Sequence, residues 1–293
     1  RDPQGDWSSD VCSSDLQQVA MLDGPERIMY CDNPVWIKTN TSQTFITGIE
    51  RMIHATRIGS RSCMGLIGIS GIGKTKMIEH AVTRLNTPDA TSILTIDLSD
   101  YGRHIDLQQV FLSHLGFTQS VKSLCTASGI KRISERIKEM KLAVCILDEG
   151  NALAGVKSML IQPNYTYLRA MANRDFGVSL VVAGTEDLKV FLGIDPQLRS
   201  RFGVWEIPQW DAAGEDLSRF LKAFVRFMPL RKPSTLDTCE IQESLVSNCR
   251  GSTRDIVWVL ITSAKLAIET GHECIDEALL DACFEARLPA FLE

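Results

Sequence analysis

The sequence predicts an α/β fold, a mostly parallel sheet flanked by helices, followed by a small all-helical domain. Three observations predict it. Short apolar runs alternate with helical patterns through the middle of the chain. A glycine-rich turn joins the first of these runs to a long helical pattern. Beyond Trp210 the strand-like runs stop and only helical patterns continue.

Residues 1–16 read RDPQGDWSSDVCSSDL and repeat Ser-Ser-Asp. They carry neither the basic nor the apolar region of an export signal. They resemble translated sequencing-adapter DNA and are set aside as a non-native leader, so the native start is expected to lie outside this sequence. Residues 17–59 form an N-terminal helical or linker segment, with a loop at Asp32-Asn33-Pro34 and a helical pattern over 43–56. The α/β domain spans 60–210. Its predicted strands are 64–70 (MGLIGIS), 92–98 (SILTIDL), 142–147 (LAVCIL), 178–183 (VSLVVA) and 204–207. Helical patterns lie between them at 74–85, 107–115, 131–140 and 159–173. The helical domain spans 211–293, with patterns at 217–228, 241–249, 253–270 and 275–287, interrupted by Pro229 and Pro233.

Of 293 residues, 44% are hydrophobic and 23% charged, which excludes a disordered or fibrous chain. No apolar run approaches the ~18 residues of a membrane span, so no membrane partner is expected. The nine cysteines are scattered, with no C-x-x-C pair, which fits buried thiols in a cytoplasmic protein. A net charge of −5 excludes a globally basic nucleic-acid binder and leaves room for a local basic surface.

Gly68-Ile69-Ser70-Gly71-Ile72-Gly73-Lys74-Thr75 matches G-x-x-x-x-G-K-S/T in full. Glycines let the backbone curl so that successive N–H groups face phosphate oxygens, and the following helix adds its positive end. Gly68, Ser70, Gly71, Ile72, Gly73, Lys74, Thr75 and Lys76 are therefore the candidate nucleotide-binding residues. Lys74 would reach the β- and γ-phosphates and the Thr75 hydroxyl would ligate Mg²⁺. Such a match arises by chance in about one chain of this length in a hundred. Neither a dinucleotide G-x-G-x-x-G nor a nucleophile elbow fits the same residues.

The apolar run at 142–147 ends in Asp148-Glu149. Asp148 is the candidate Mg²⁺ ligand and Glu149 the candidate base for the attacking water. The next run ends at Gly184-Thr185; Thr185 either bonds the water or γ-phosphate, or caps the following helix. Arg199 and Arg201 are candidates for a finger supplied to a neighbouring subunit, and Arg254 for a phosphate contact from the helical domain.

The order of phosphate loop, Asp148-Glu149, Gly184-Thr185, residues 198–202 (LRSRF) and residues 251–255 (GSTRD) resembles the AAA+ ATPases. Gly184-Thr185-Glu186, Asp195-Pro196-Gln197-Leu198, Ser200-Arg201-Phe202 and Ile207-Pro208-Gln209-Trp210 resemble the TniB/TnsC transposition ATPases. So do residues 229–234 (PLRKPS) and the segment from Ala264 to Glu273. The resemblance covers roughly 34 to the C-terminus. It implies ATP and Mg²⁺ as cofactors, Arg201 as the finger and Arg254 as the second sensor. It further implies a homo-oligomeric ring or filament on double-stranded target DNA, with a TniA/TnsB-like DDE transposase and a TniQ-like target selector as partners. Asn151 departs from the histidine frequent two residues after the glutamate in related proteins, which bears on how hydrolysis is coupled to sensing. An initiator- or clamp-loader-like remodeller and an ATP-gated scaffold that does not hydrolyse remain open alternatives.

DNA contact is carried by weaker signals. Residues 122–141, beginning at Lys122, hold six basic and two acidic side chains. They form either the solvated face of a helix or a track for backbone phosphates. Tyr101 and Arg103 are further candidates.

Overall fold

The computed structural model describes residues 18–118, 126–172 and 177–287. The leader at 1–16 and Lys122 lie outside the described residues. Contacts divide the chain into two units, Thr44–Pro208 in one and the described parts of Arg1–Gln43 and Gln209–Glu293 in the other.

The first unit is built on five parallel strands: β1 (Cys63–Ile67), β2 (Ile93–Asp97), β3 (Val144–Asp148), β4 (Ser179–Gly184) and β5 (Phe202–Glu206). Their order across the sheet is β2-β3-β4-β1-β5. The central strands β3 and β4 are buried at every position, as expected of a parallel sheet covered on both faces. Val, Ile, Leu and Cys supply most of those positions, and burial alone pushes the Cys145 thiol up to about 12. Among the described residues all cysteines are free thiols.

Helices α2 (Asn40–Arg57), α3 (Lys74–Leu85), α4 (Leu107–His114), α5 (Ala127–Met140) and α6 (Ser158–Ala172) account for the helical patterns read from 43 to 173. Two further helices follow β4: α7 (Glu186–Ile194) and the single turn α8 (Pro196–Arg199). Phe45 of α2 stacks on Trp205 of the edge strand β5, ring centroids 6.2 Å apart. Asn164, 1% exposed in α6, accepts from the Leu107 N–H at 3.0 Å and donates to the Ile105 carbonyl at 2.9 Å. That side chain satisfies a helix-start donor that no residue of α4 can reach.

The second unit contains α1 (Gly24–Tyr30), α9 (Glu215–Val225), α10 (Cys239–Asn248), α11 (Thr253–Glu269) and α12 (Glu277–Arg287). Leu217, Phe220, Leu221, Phe224, Leu245, Ile256 and Leu260 form its core. Side chains of Thr238 and Ser252 cap α10 and α11.

Arg27, 2% exposed, joins α1 to this core. Its guanidinium donates to the Pro229 carbonyl at 3.1 and 2.7 Å and forms a two-pronged ion pair with Glu273. The Lys232 N–H also donates to the Glu273 carbonyl at 2.9 Å. Two loops far apart in sequence are thereby locked together. The Arg27 hydrogen bond, opposed by burial, holds the Glu273 carboxyl below the usual glutamate range. A carboxyl depressed in the folded state stabilises fully above its unfolded pKa and loses that contribution as pH falls through its folded value. Arg27→Met should therefore cost about 3 kcal/mol at neutral pH, because it leaves the buried carboxylate only the exposed Arg231 guanidinium at 3.8 Å and the Arg231 N–H at 3.3 Å. In urea unfolding, the gap between parent and variant should narrow as pH falls below the glutamate range; a gap constant down to acid would contradict this.

Candidate nucleotide-binding site

The C-terminal edge of the sheet gathers most of the residues singled out in the sequence. Ile67 aligns with Gly184, and Leu147 with Val182, so the ends of β1, β3 and β4 lie side by side. The Gly68 N–H donates to the Gly184 carbonyl at 3.1 Å, extending the ladder into the glycine-rich loop. In the loop, Gly71 and Gly73 take φ of 78° and 106°, a region that favours glycine. At Gly68 a Cβ would sit 2.9 Å from Ile72, so the loop closes only without one.

Gly73 occupies the N-cap of α3 and offers no side-chain cap, leaving the first-turn N–H groups directed along the loop. Lys74 is 5% exposed and its Nζ donates to the Gly68 and Ile69 carbonyls at 2.8 and 3.1 Å. The ammonium is thus held over the loop. Lys76 turns its side chain outward to Glu79 at 2.7 Å, so its backbone N–H is what it can offer the loop. Ser70 is exposed at the loop's rim.

Thr75 Oγ1 donates to Asp148 Oδ2 at 2.7 Å, and Asp148 Oδ1 accepts the Glu149 N–H at 2.9 Å. The loop and the end of β3 therefore meet through a hydroxyl and a 5%-exposed carboxylate. Oxygen donors of this kind suit Mg²⁺, which takes few protein ligands and completes its shell with phosphate and water. No group of three or more His, Cys, Asp or Glu among the described residues is placed to hold a metal ion.

Glu149 takes a left-handed φ of 51° and ψ of 41°. This turns the chain sharply into the 3₁₀ segment Gly150–Gly155, with Glu149 half-buried directly after Asp148. Non-glycine residues held in this region collect at functional sites. The turn is packed tightly from behind: a Cβ on Gly150 would meet Val182 at 2.5 Å, and one on Gly184 would meet Leu188 at 2.9 Å. Asn151 lies in the same turn with its Oδ1 buried and accepting no hydrogen bond.

Thr185 occupies the N-cap position of α7, but its hydroxyl makes no capping bond. It stands next to Gly184 at the edge shared with the loop. Of the two sequence readings, helix capping by the side chain is not what the structure shows.

Arg201 is not brought to this edge. It precedes Phe202, which aligns with Cys63 at the start of β1, whereas the loop follows Ile67 at its end. The separation along the strand is about 16 Å. Arg201 is exposed there and donates to the Arg169 carbonyl at 3.4 Å. Arg199 ends α8 beside it and is also exposed. Arg254 belongs to the other unit, where it is the second residue of α11 and exposed. Asp97, aligned with Asp148 on β2, is committed to Ser99, whose N–H and hydroxyl it accepts at 2.9 and 2.7 Å.

The family described as "Bacterial TniB protein" matches residues 27–212. No protein of curated function matches the chain. Among solved structures, the Aeropyrum pernix ORC2 protein (ADPNP-ADP complexes) superposes with a TM-score of 0.60 at 14% identity, over 88% of this chain and 71% of that one. The A. pernix ORC1 protein in complex with DNA gives 0.59 at 16% identity, over 93% and 69%. Cdc6p from Pyrobaculum aerophilum gives 0.58 at 16%, over 83% and 66%. At these identities the likeness concerns the fold, which is that of the AAA+ ATPases. No helix among the described residues is long and apolar enough to cross a membrane.

Proposed function

Since the chain belongs to the bacterial TniB family and has an AAA+ ATPase fold, we propose that it binds and hydrolyses ATP as a homo-oligomer on double-stranded target DNA, where it recruits or activates a DDE transposase. The observation that carries the ATPase reading is the 2.7 Å hydrogen bond from Thr75 to Asp148, which joins the phosphate loop to the acidic strand end.

In this reading the loop's backbone N–H groups and Lys74 bind the phosphates. Thr75 and Asp148 hold Mg²⁺. The bound Mg²⁺ supplies charge neutralisation across the phosphate oxygens. Glu149, set beside Asp148 by its left-handed backbone, orients the attacking water and takes its proton. The uncapped Thr185 hydroxyl is available to hold the same water. Arg201 serves the site of an adjacent copy, because it lies at the opposite edge of its own sheet. Arg254 is assigned a phosphate contact from the helical unit. Asn151, in place of the histidine frequent in relatives, makes the link between hydrolysis and partner sensing this protein's own.

Family membership supports the DNA and transposase parts of the reading. A long labelled duplex of random sequence, titrated with protein in ATP, ADP or no nucleotide, tests them. Binding should appear with ATP and vanish in Lys74→Ala. ATP turnover without any DNA binding would overturn the DNA reading and favour a protein remodeller.

A further inference from the structure

A cavity of about 620 Å³ opens at the edge of the sheet opposite the phosphate loop. It lies where α2 and α5 end and where the chain enters β3 and β4; Leu142, Ala143 and Gly177 form part of its wall. The length of the strands, about 16 Å, separates it from the P-loop. Volumes of this order are those of small-molecule and cofactor sites.

Its lining is unusually basic for a protein of net charge −5. Arg57, Arg61, Lys138 and Lys141 face it, against the single carboxylate of Asp89. The C-termini of α2 and α5 add about one negative charge between them. Four cations less one carboxylate and about one charge of helix dipole leave a surplus of about two positive charges. Helix-end compensation therefore explains only part of the cluster. Among the described residues, Arg57, Lys138 and Lys141 have no ion-pair partner. Arg57 is positioned by a 3.1 Å bond from its Nη2 to the Ser92 hydroxyl. Lys141 is fixed by a left-handed backbone at φ 56° as α5 ends. The Ser134 side chain on the same wall can add a neutral donor.

We propose that this cavity is a second anion site, built to bind the phosphate of a phosphorylated ligand. The surplus of about two charges matches a phosphate dianion or two adjacent phosphodiesters, and guanidinium groups beside ammonium groups suit its oxygens. The ligand is a free polyphosphate or the backbone of a nucleic-acid strand, which share this chemistry. The site stands whether or not the P-loop hydrolyses ATP.

The test uses the full chain and two probes: inorganic tripolyphosphate, offered to protein carrying Lys74→Ala so that the P-loop does not compete, and a short random-sequence DNA duplex, offered with saturating ATP to protein with Lys74 intact. Lys138→Gln combined with Lys141→Asn removes two cations while leaving a residue that tolerates the left-handed backbone. Affinity for at least one probe should fall about tenfold or more. Lys138→Glu alone, on an exposed helix position, should act in the same direction. Loss for the duplex, with a salt dependence shallower by about two counterions, identifies a nucleic-acid backbone. Loss for tripolyphosphate alone identifies a free polyphosphate. Unchanged affinity for both probes, or no binding of either by its own parent protein, overturns the proposal. ATP turnover by the Lys138→Gln/Lys141→Asn protein with Lys74 intact tests the P-loop separately and should match the parent.

Discussion

Glu149→Gln should lower steady-state ATP turnover by about 10²–10⁴-fold while leaving ATP affinity unchanged. The substitution preserves size and the backbone N–H that donates to Asp148 at 2.9 Å, so the Mg²⁺ ligand keeps its place. It removes only the group able to accept a proton from water. The ATP-bound oligomer should accordingly persist longer, because the step that ends it is slowed. Equilibrium nucleotide binding and phosphate release, measured on the same preparation, separate the two effects. A turnover equal to the parent's would reject Glu149 as the base and move attention to Asp97 or Thr185. Loss of binding together with turnover would instead mark Glu149 as part of the nucleotide cradle.

Arg201→Ala should lower turnover by about 10³–10⁵-fold, the range for an arginine that stabilises charge on transferring phosphate. The size of this effect is informative because of where the residue stands. Its strand register sets it at the start of β5, aligned with the start of β1 rather than with the loop after it. Within one copy it lies a strand's length from the site, where it donates a long 3.4 Å bond to the Arg169 carbonyl. A merely structural arginine in that position would change stability slightly and turnover hardly at all. Arg199→Ala, two residues earlier at the end of α8, is the matched control and should leave turnover within a few-fold.

The phosphate loop was legible in the sequence because its chemistry is local: glycines at fixed spacing, a lysine and a hydroxyl, all within one turn. The helix that follows begins and ends where its pattern does, at Lys74 and Leu85. Asp148 and Glu149 were legible as the end of an apolar run. That Thr75 and Asp148 touch could be expected only from the motif, since the hydrogen bond spans 73 residues and depends on strand order. The placement of β4 between β1 and β3 is a property of the crossovers and leaves no local trace. The helix α1 went unread for a simpler reason: at seven residues it is too short for a clear period. Arg27 was likewise invisible, because an arginine in a short stretch reads as surface until Glu273 and the Pro229 carbonyl are seen around it. The cations of the opposite cavity come from two stretches of chain far apart in sequence, 57–61 and 138–141; the basic excess noted over 122–141 contains only two of them.

The central claim is that each catalytic site is completed by a second copy of the chain. Mixing tests it most directly. Arg201→Ala and Glu149→Gln proteins, each inactive alone, are combined in equal amounts with ATP, Mg²⁺ and duplex DNA, and phosphate release is followed. A Glu149-bearing site facing an Arg201-bearing neighbour is then intact. Turnover should return to roughly a quarter of the parent's, the share of head-to-tail interfaces that pair the two intact residues. A mixture that assembles on DNA yet stays as inactive as its components would contradict the shared site.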